Sequence, residues 1–221
     1  MSRAELFRAV LVAACILLPV VPARAFEFEA DPRLAEDVAV SVPDERIVTV
    51  SALENSRLYR WGPLELEKDD LRSLTLRFGG EPERTGGECP IDTACWLVDG
   101  HSGRYYLLVR ETLGELTEFM VVDRKERLIP GLRCPSMSLP RGTPENPAGL
   151  RLGMTRDEVV RLLGDPLLER GNRLYYASTA ERAAASSGGP DAPRADSLSA
   201  VVLRLERGRV VVLSVSRVTT L

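Results

Sequence analysis

The sequence predicts an α+β fold of two tandem units, each a short helix packed on an antiparallel three- to four-stranded sheet. Two observations support this prediction. A helix with complete start and stop signals spans residues 155–164, and its plan recurs at residues 70–79. Three predicted strands follow each helix, and in the last two of the second unit apolar and polar residues alternate, which is typical of strands with one face in water. A helix with one apolar face has to cover the apolar face of such a sheet.

The helix of the second unit has all of its boundary signals. Thr155 and Glu158 form a capping box, in which each side chain bonds a free backbone N–H of the first turn. Val159 and Leu163 fall on one face at helical spacing. A glycine that can adopt a left-handed conformation, and a proline two residues later, end the helix. The fold motif predicted here comprises Thr155, Glu158, Val159, Leu163, Gly164 and Pro166.

The helix of the first unit follows the same plan. Asp70 is its N-cap, Leu71, Leu74 and Phe78 form its apolar stripe, and Gly79 ends it. When the glycines that end the two helices are superposed, the N-caps and the apolar stripes of the helices also align. Two copies at so long a spacing favour a tandem α+β protein over a solenoid.

These segments define the domain organisation. Residues 1–25 are a signal peptide, and residues 26–123 form the first helix-plus-meander unit with an N-terminal extension. Residues 124–148 are a Pro-rich linker. Residues 149–221 form the second unit, with a low-complexity insertion at 179–197 that we expect to be mobile. Each unit alone is small, so we expect the two to share an interface.

Composition restricts the class of protein. The chain has 221 residues, of which 44% are hydrophobic and 28% are charged, and its formal net charge is −3. These values exclude a fibre, a coiled coil and a wholly disordered chain. They also argue against a nucleic-acid partner, which needs a concentrated positive face. The single histidine, His101, gives little basis for metal or acid–base chemistry, so we expect no metal and no cofactor.

The N-terminal segment 1–25 has the three parts of a secretory signal peptide. A charged start precedes an apolar run over residues 9–21 and an Ala-Arg-Ala exit, with cleavage expected before Phe26. The run is about 13 residues long, shorter than the ~20 that span a bilayer, so we expect no stable membrane span after cleavage. Cleavage removes three of 29 basic and one of 32 acidic residues, which leaves a net charge of −5. The sequence therefore predicts a periplasmic or secreted protein.

A lipoprotein is the alternative for the leader. Residues 12–15, Val-Ala-Ala-Cys, resemble a lipoprotein signal box with Cys15 as the lipidated residue. The apolar run continues well beyond Cys15, whereas such a box ordinarily ends the apolar core. We therefore disfavour lipidation at Cys15.

Three cysteines remain in the mature chain, Cys89, Cys95 and Cys134. An exported protein meets an oxidising compartment, so we expect one pair and one cysteine left over. Closing about forty residues with a Cys95–Cys134 bond would contribute roughly 4 kcal/mol, against roughly 2 kcal/mol for the short Cys89–Cys95 loop. The short pair forms more readily and its loop is turn-rich, so we favour Cys89–Cys95 and keep the long pair as the alternative. The spacing argues against a redox or zinc site.

A pattern in the second helix resembles the motif of the SmpA/OmlA (BamE) superfamily: Gly153-Met154-Thr155-x-x-Glu158-Val159-x-x-x-Leu163-Gly164-x-Pro166. Members of this superfamily share a fold with the β-lactamase inhibitor protein, which has two helix-on-sheet units in tandem. The close match covers only this short segment, and every matched position caps or packs a helix. The resemblance implies an exported, non-enzymatic protein that presents a surface to another protein. The chain departs from the assembly-factor members, which are short lipoproteins with one unit.

Four aromatic residues are the candidates for contacts with a partner: Tyr59, Trp61, Tyr106 and Tyr176. Adjacent tyrosines on a strand point to opposite faces, so one of each pair is exposed unless the other unit covers it. Exposed aromatic residues are common anchors in protein interfaces. The alternative is that these side chains belong to the core.

An enzymatic interpretation would rest on His101. It would set Cys134 or a serine as the nucleophile against His101, with Asp99 to orient the imidazole. Turn geometry alone explains the glycine-rich segment around this histidine, so we predict no catalytic residue.

The sequence therefore predicts an exported cell-envelope protein that acts as a non-catalytic protein-binding module, with another envelope protein as its partner. The alternatives are an outer-membrane assembly accessory lipoprotein and an inhibitor of an envelope enzyme. A hydrolase that uses His101 is the third interpretation.

Overall fold

A computed structural model describes residues 25–28, 40–43, 51–85, 90–100, 103–128, 131–139, 145–183 and 194–220. Strands make up 51% of the structure, and the described residues contain two α-helices, α1 (Leu71–Phe78) and α2 (Arg156–Leu163). The strands in chain order are β1 Ala25–Phe28, β2 Val40–Pro43, β3 Arg60–Trp61, β4 Leu64–Glu65, β5 Glu83–Thr85, β6 Ile91–Gly100, β7 Gly103–Thr112, β8 Glu115–Val122, β9 Ser136–Ser138, β10 Leu168–Arg170, β11 Arg173–Ala183, β12 Arg194–Glu206 and β13 Arg209–Thr220.

Nine strands form one sheet in the order β10-β11-β12-β13-β8-β7-β6-β5, with β9 also paired to β6. Neighbouring strands are antiparallel, apart from the short parallel pairing of β9 with β6. The pairs β1–β2 and β3–β4 are separate two-stranded ribbons. Short 3-10 turns at Ser51–Glu54 and Ser56–Tyr59 precede β3.

The predicted fold class, two tandem α+β units each with its own sheet, is wrong, because one antiparallel sheet dominates the fold. The two halves of the chain are joined by the pairing of β8 with β13, from Val122 opposite Val212 to Glu118 opposite Ser216. Each of these strands would otherwise present a row of unpaired backbone N–H and C=O groups at a sheet edge. Alternating apolar residues predict a strand, but they do not specify which strand lies beside it.

The main core lies on one face of this sheet, which we call the helix face. Large side chains of the central strands are buried there together with Trp61 and the two helices; they include Trp96, Leu107, Phe119, Val201 and Leu213. The residues that alternate with them point to the opposite face, which we call the outer face; they include Cys95, Leu108, Met120, Val202 and Val212. Both helices therefore cover the same side of the sheet.

Helix α1 begins where the sequence predicts. The Asp70 carboxylate accepts a hydrogen bond from the Ser73 backbone N–H at 2.7 Å. The Leu71 N–H donates to the Glu111 carboxylate of β7 at 2.6 Å, so this end of the helix is fastened to the sheet. Leu71 and Leu74 are buried in the core.

Helix α2 has both bonds of its predicted capping box. The Glu158 N–H donates to Thr155 Oγ1 at 3.3 Å, and the Thr155 N–H donates to Glu158 Oε2 at 2.7 Å. The bond from the Thr155 backbone lowers the pKa of Glu158. Val159 and Leu163 are buried, and Gly164 follows with a φ of 84°.

The segment expected to be a Pro-rich linker packs on the sheet where it is described. Residues 124–128 and 131–139, which we call the disulfide segment, cross the outer face, where Leu128 and Leu132 pack against Leu108 and Met120. Its last residues form β9, and the Leu97 N–H donates to the Pro135 carbonyl at 2.8 Å.

The disulfide joins Cys95 to Cys134, with Cα atoms 4.7 Å apart, so the favoured Cys89–Cys95 pair is wrong. The bond depends on the fold, because the disulfide segment has to return to β6 before the two sulfur atoms can meet. Cys89 lies outside the described residues.

The insertion predicted at 179–197 is partly strand. β11 continues to Ala183 and β12 starts at Arg194, with Ala183 opposite Arg194 in the register. Residues 184–193 lie outside the described part of the chain, as do residues 1–24 of the predicted signal peptide.

Candidate functional site

Three of the four aromatic candidates for partner contacts are core residues. Trp61 is fully buried, and its Nε1–H donates to the Tyr105 hydroxyl at 3.0 Å. Tyr59 is buried, with its hydroxyl bonded to the Leu53 carbonyl. Tyr176 is buried and donates to the Gly164 carbonyl at 3.2 Å; burial raises the pKa of Tyr176 to about 12. These residues therefore stabilise the fold and are not available on the surface of this chain.

The fourth candidate, Tyr106, lies on the outer face. It is partly buried and packs against the cluster formed by the disulfide segment and the central strands. Its strand neighbour Tyr105 points into the core, as the alternation of adjacent tyrosines predicts.

The residues of the enzymatic interpretation do not form a nucleophile and base among the described residues. Cys134 is bonded to Cys95, so it carries no free thiol. The Asp99 carboxylate accepts from Arg104 Nε at 2.8 Å, and both side chains are largely exposed. His101 lies outside the described residues.

Coverage of the outer face differs between its two halves. Over β6–β8, the disulfide segment packs on Leu108, Met120 and Val122, which are all buried. Over β11–β13, Val202 is only partly buried and Val218 is 39% exposed. Tyr175, Ala177 and Ala200 at the centre of this second half are buried, with at most 7% of their surface exposed, so solvent contact there is confined to the side chains around them.

The half over β11–β13 has an apolar row beside a row of small residues. Leu168, Tyr175, Val202 and Ser214 lie opposite one another on neighbouring strands, from β10 to β13. The next row on the same face consists of Ala177, Ala200 and Ser216. The border with the covered half is polar, because Glu118 accepts from Ser214 Oγ at 2.6 Å and pairs with Arg110 at 3.2 Å.

A third row on this face consists of arginines. Arg170 of β10 lies directly opposite Arg173 of β11, which lies directly opposite Arg204 of β12. Arg170 is exposed, Arg173 is half-buried, and Arg204 is buried with 9% of its surface exposed. We call these three residues the arginine row. The arginine row borders the apolar row on the same face of the sheet.

An ion-pair network closes one end of the arginine row. Arg127 binds Glu206 with both of its terminal nitrogens, one of them at 2.7 Å from Oε2, and its Nε donates to Asp123 at 2.5 Å. Arg204 Nη2 is 3.4 Å and Arg124 Nη2 is 3.8 Å from the same Glu206 carboxylate. Arg127 above all, then Arg204 and Arg124, lower the pKa of Glu206 to about 2.

The sequence prediction of contact residues did not include the arginine row. Arg170 and Arg173 flank Gly171 and Asn172, a two-residue turn that places them opposite each other. This local signal could have identified their pairing if residues 168–170 had been predicted as a strand. The position of Arg204 depends on how β12 pairs with β11 across a long connection, and no local signal gives that register.

Two further properties concern the described residues alone. None of their helices is long and apolar enough to cross a membrane. They also contain no group of three or more histidine, cysteine, aspartate or glutamate side chains that could hold a metal ion.

Comparison with known proteins gives no relative. No family model, no curated protein and no solved structure matches the chain. The resemblance to the SmpA/OmlA (BamE) superfamily therefore stays a prediction from the helix motif.

Proposed function

We propose that this chain is an exported, non-catalytic module that binds another protein of the cell envelope through the half of its outer face that lies over β11–β13. We call the accessible residues of this surface the open face; they are Leu168, Arg170, Arg173, Leu198, Val202, Ser214, Ser216 and Val218. The observation that carries the proposal is a set of apolar side chains, Leu168, Leu198, Val202 and Val218, that keep part of their surface in solvent.

Apolar side chains in contact with water are the physical reason to expect a partner there. The disulfide segment buries Leu108 and Met120 on one half of the face, whereas Val202 and Val218 on the other half keep part of their surface in water. Contiguous exposed apolar surface rimmed by polar residues marks interaction sites on soluble proteins. The arginine row and the Arg110–Glu118 pair form such a rim here.

The location in the envelope rests on the N-terminal segment 1–25. Its charged start, apolar run and Ala-Arg-Ala exit support export, and the disulfide between Cys95 and Cys134 is compatible with an oxidising compartment.

Site-specific photo-crosslinking tests the proposed function. A photoreactive amino acid replaces Val202 on the open face, and in the matched control it replaces Leu76, which is 79% exposed on α1 beside the opposite face. In the envelope fraction, we expect one crosslinked protein from position 202 and none from position 76. Mass spectrometry then identifies the partner, and the variant Ser216→Arg should weaken its binding to the purified chain by about tenfold or more.

Three results would contradict this function. They are an absence of crosslinks from position 202, the same crosslinked proteins from both positions, and a hydrolase activity of the purified mature chain that His101→Ala abolishes.

A further inference from the structure

The turn between β7 and β8 holds a leucine in a conformation that leucine rarely adopts. Thr112 pairs with Glu115 across a two-residue turn, Leu113-Gly114, in which φ is 57° and then 90°. We call these two residues the leucine tip. Two positive φ values are what a type I′ turn requires, and asparagine, aspartate or glycine ordinarily fills its first position. A bulky residue there strains the backbone, because its Cβ crowds the neighbouring carbonyl oxygen.

The Leu113 side chain is also exposed to solvent. It keeps 75% of its surface exposed, so the fold gains little from its apolar character. Leu76 is 79% exposed as well, but it lies within α1 in ordinary helical geometry. Arg207 has the same strained position before Gly208 in the β12–β13 turn, with a φ of 51°, but its charged side chain is suited to water. Leu113 thus combines strain with exposed apolar surface, and strained residues of this kind cluster at functional sites.

The stem of the β7–β8 hairpin fixes the leucine tip in place. The Leu116 N–H donates to the Asp69 carbonyl at 3.2 Å, and the Leu116 carbonyl accepts from the Glu67 N–H at 2.9 Å. The hydroxyls of Thr112 and Thr117 lie 3.3 Å apart across the hairpin and share a hydrogen bond. Leu116 is fully buried. A tip that is held before binding loses less conformational entropy when it meets a partner.

The surroundings of the leucine tip are negatively charged. Residues 111–116 contain two glutamates and no basic residue. Residues 67–70, which bond to Leu116, add three acidic residues and one lysine. Two basic side chains in this region are already paired, Lys68 with Glu65 at 2.6 Å and Arg84 with Asp92 at 2.7 Å. An apolar side chain among carboxylates is suited to a positively charged protein surface and poorly suited to anionic lipid.

We propose that the leucine tip inserts the Leu113 side chain into an apolar pocket, rimmed by lysine or arginine, on another protein. The pocket would remove from water the apolar surface that the free chain exposes. The exposed carboxylate of Glu115, two residues away, would meet the positive rim. This contact lies outside the open face, so it goes beyond the function proposed above and does not depend on it.

Asparagine variants test whether the leucine is retained at a cost to stability. Leu113→Asn should raise the midpoint of thermal unfolding by about 2–4 °C, because asparagine tolerates a positive φ better than leucine does. Arg207→Asn makes the same change in the β12–β13 turn and should raise the midpoint likewise. An unchanged or lower midpoint for Leu113→Asn would show that the fold itself needs this leucine, and the proposal would be wrong.

Photo-crosslinking then identifies what the leucine tip contacts. A photoreactive aliphatic amino acid replaces Leu113 in the full chain, and in the matched control it replaces the exposed Leu76. In the envelope fraction, we expect one crosslinked protein from position 113 and none from position 76. Its attachment site, mapped by mass spectrometry, should lie among apolar residues beside lysine or arginine. Leu113→Asn and Glu115→Lys should each weaken binding of that purified protein by about tenfold or more, and Arg207→Asn should leave it unchanged.

Several results would overturn this contact. They are an absence of products from position 113, the same products from both positions, attachment to lipid or to a second copy of this chain, and full affinity in Leu113→Asn. Position 202 reports separately on the open face. A product from position 202 without one from position 113 leaves the proposed function standing and removes the contact of the leucine tip. A product from position 113 alone does the reverse.

Discussion

The buried charge of Arg217 is compensated by Glu67, a carboxylate from the first half of the chain. Its Nε lies 3.0 Å from Glu67 Oε2, and its guanidinium lies over the Tyr59 ring, 4.6 Å from the centroid. Glu67 also accepts from Thr219 Oγ1 at 2.6 Å. Arg217 Nη2 has no hydrogen-bond partner in the described part of the chain. Among the described residues, Glu67 is therefore the carboxylate that stabilises this charge.

Replacing Glu67 should destabilise the protein far more than replacing an exposed acid. In Glu67→Ala, the Arg217 guanidinium stays buried without its counter-charge, and we expect a loss of about 3 kcal/mol in the free energy of unfolding. Asp99→Ala is the control, because its ion pair with Arg104 has both side chains 67% exposed and should contribute less than about 1 kcal/mol. Urea denaturation of both variants measures the difference, and equal losses would show that the Arg217 pair has no special role.

Glu206 gives stability a pH dependence with a defined sign. Arg127 lowers its pKa from 4.5 to about 2, so the folded state holds the ionised form more strongly than the unfolded state does. The stabilisation is present above pH 4.5 and is lost as pH falls through 2. Wild type should therefore exceed Glu206→Gln in denaturation midpoint at neutral pH, and the gap should close between pH 4.5 and 2. The control is Glu126→Gln, which replaces an exposed side chain. If the difference in midpoint between wild type and Glu206→Gln stayed constant with pH, the ion pair between Glu206 and Arg127 would be contradicted.

At the scale of elements, the sequence predicted features that depend on residues close together in the chain. It did not predict contacts between residues far apart in the chain. The caps Asp70 and Thr155 were predicted correctly because each bonds a backbone N–H only three residues away. Cys95 and Cys134 are 39 residues apart, so their meeting depends on where the disulfide segment crosses the sheet. The loop-entropy argument pointed to this pair, but the preference for the shorter loop outweighed it. Proline content also indicated a linker, although Leu128 is buried on the outer face.

Removing the disulfide should loosen the segment that it fastens. The bond closes a loop of about forty residues, so the double variant Cys95→Ala with Cys134→Ala should lose up to about 4 kcal/mol in the free energy of unfolding. Leu128 and Leu132 should then protect Leu108 and Met120 less well. Hydrogen exchange should therefore quicken in residues 131–139, and binding of a hydrophobic dye should increase. The control is Cys89→Ala, which leaves the Cys95–Cys134 bond intact. If exchange in residues 131–139 were unchanged in the double variant, packing alone would hold the segment.

At the scale of the whole molecule, the pairing of β8 with β13 could not be predicted from the sequence. Val212 and Val122 belong to different halves of the chain, and the apolar content of each strand fits either a separate sheet or a shared one. The same limit applies to the open face, because the register of β12 against β11 brings Arg204 beside Arg173. The two helix caps define local structure within each half, whereas the shared sheet decides which residues stay uncovered.

A shared sheet and a shared core predict that the two halves unfold together. Both tryptophans, Trp61 and Trp96, belong to the first half, so their fluorescence reports on that half alone. Leu203→Ala in β12 creates a cavity in the second half and should cost about 2–5 kcal/mol. Because β8 and β13 join the halves, this variant should shift two unfolding transitions equally. One is followed by tryptophan fluorescence, and the other is the loss of strand structure followed by circular dichroism. Leu107→Ala in β7 is the matched variant in the first half and should shift both signals likewise. If Leu203→Ala left the tryptophan transition in place while the circular dichroism signal split into two steps, the halves would be independent units despite their common sheet.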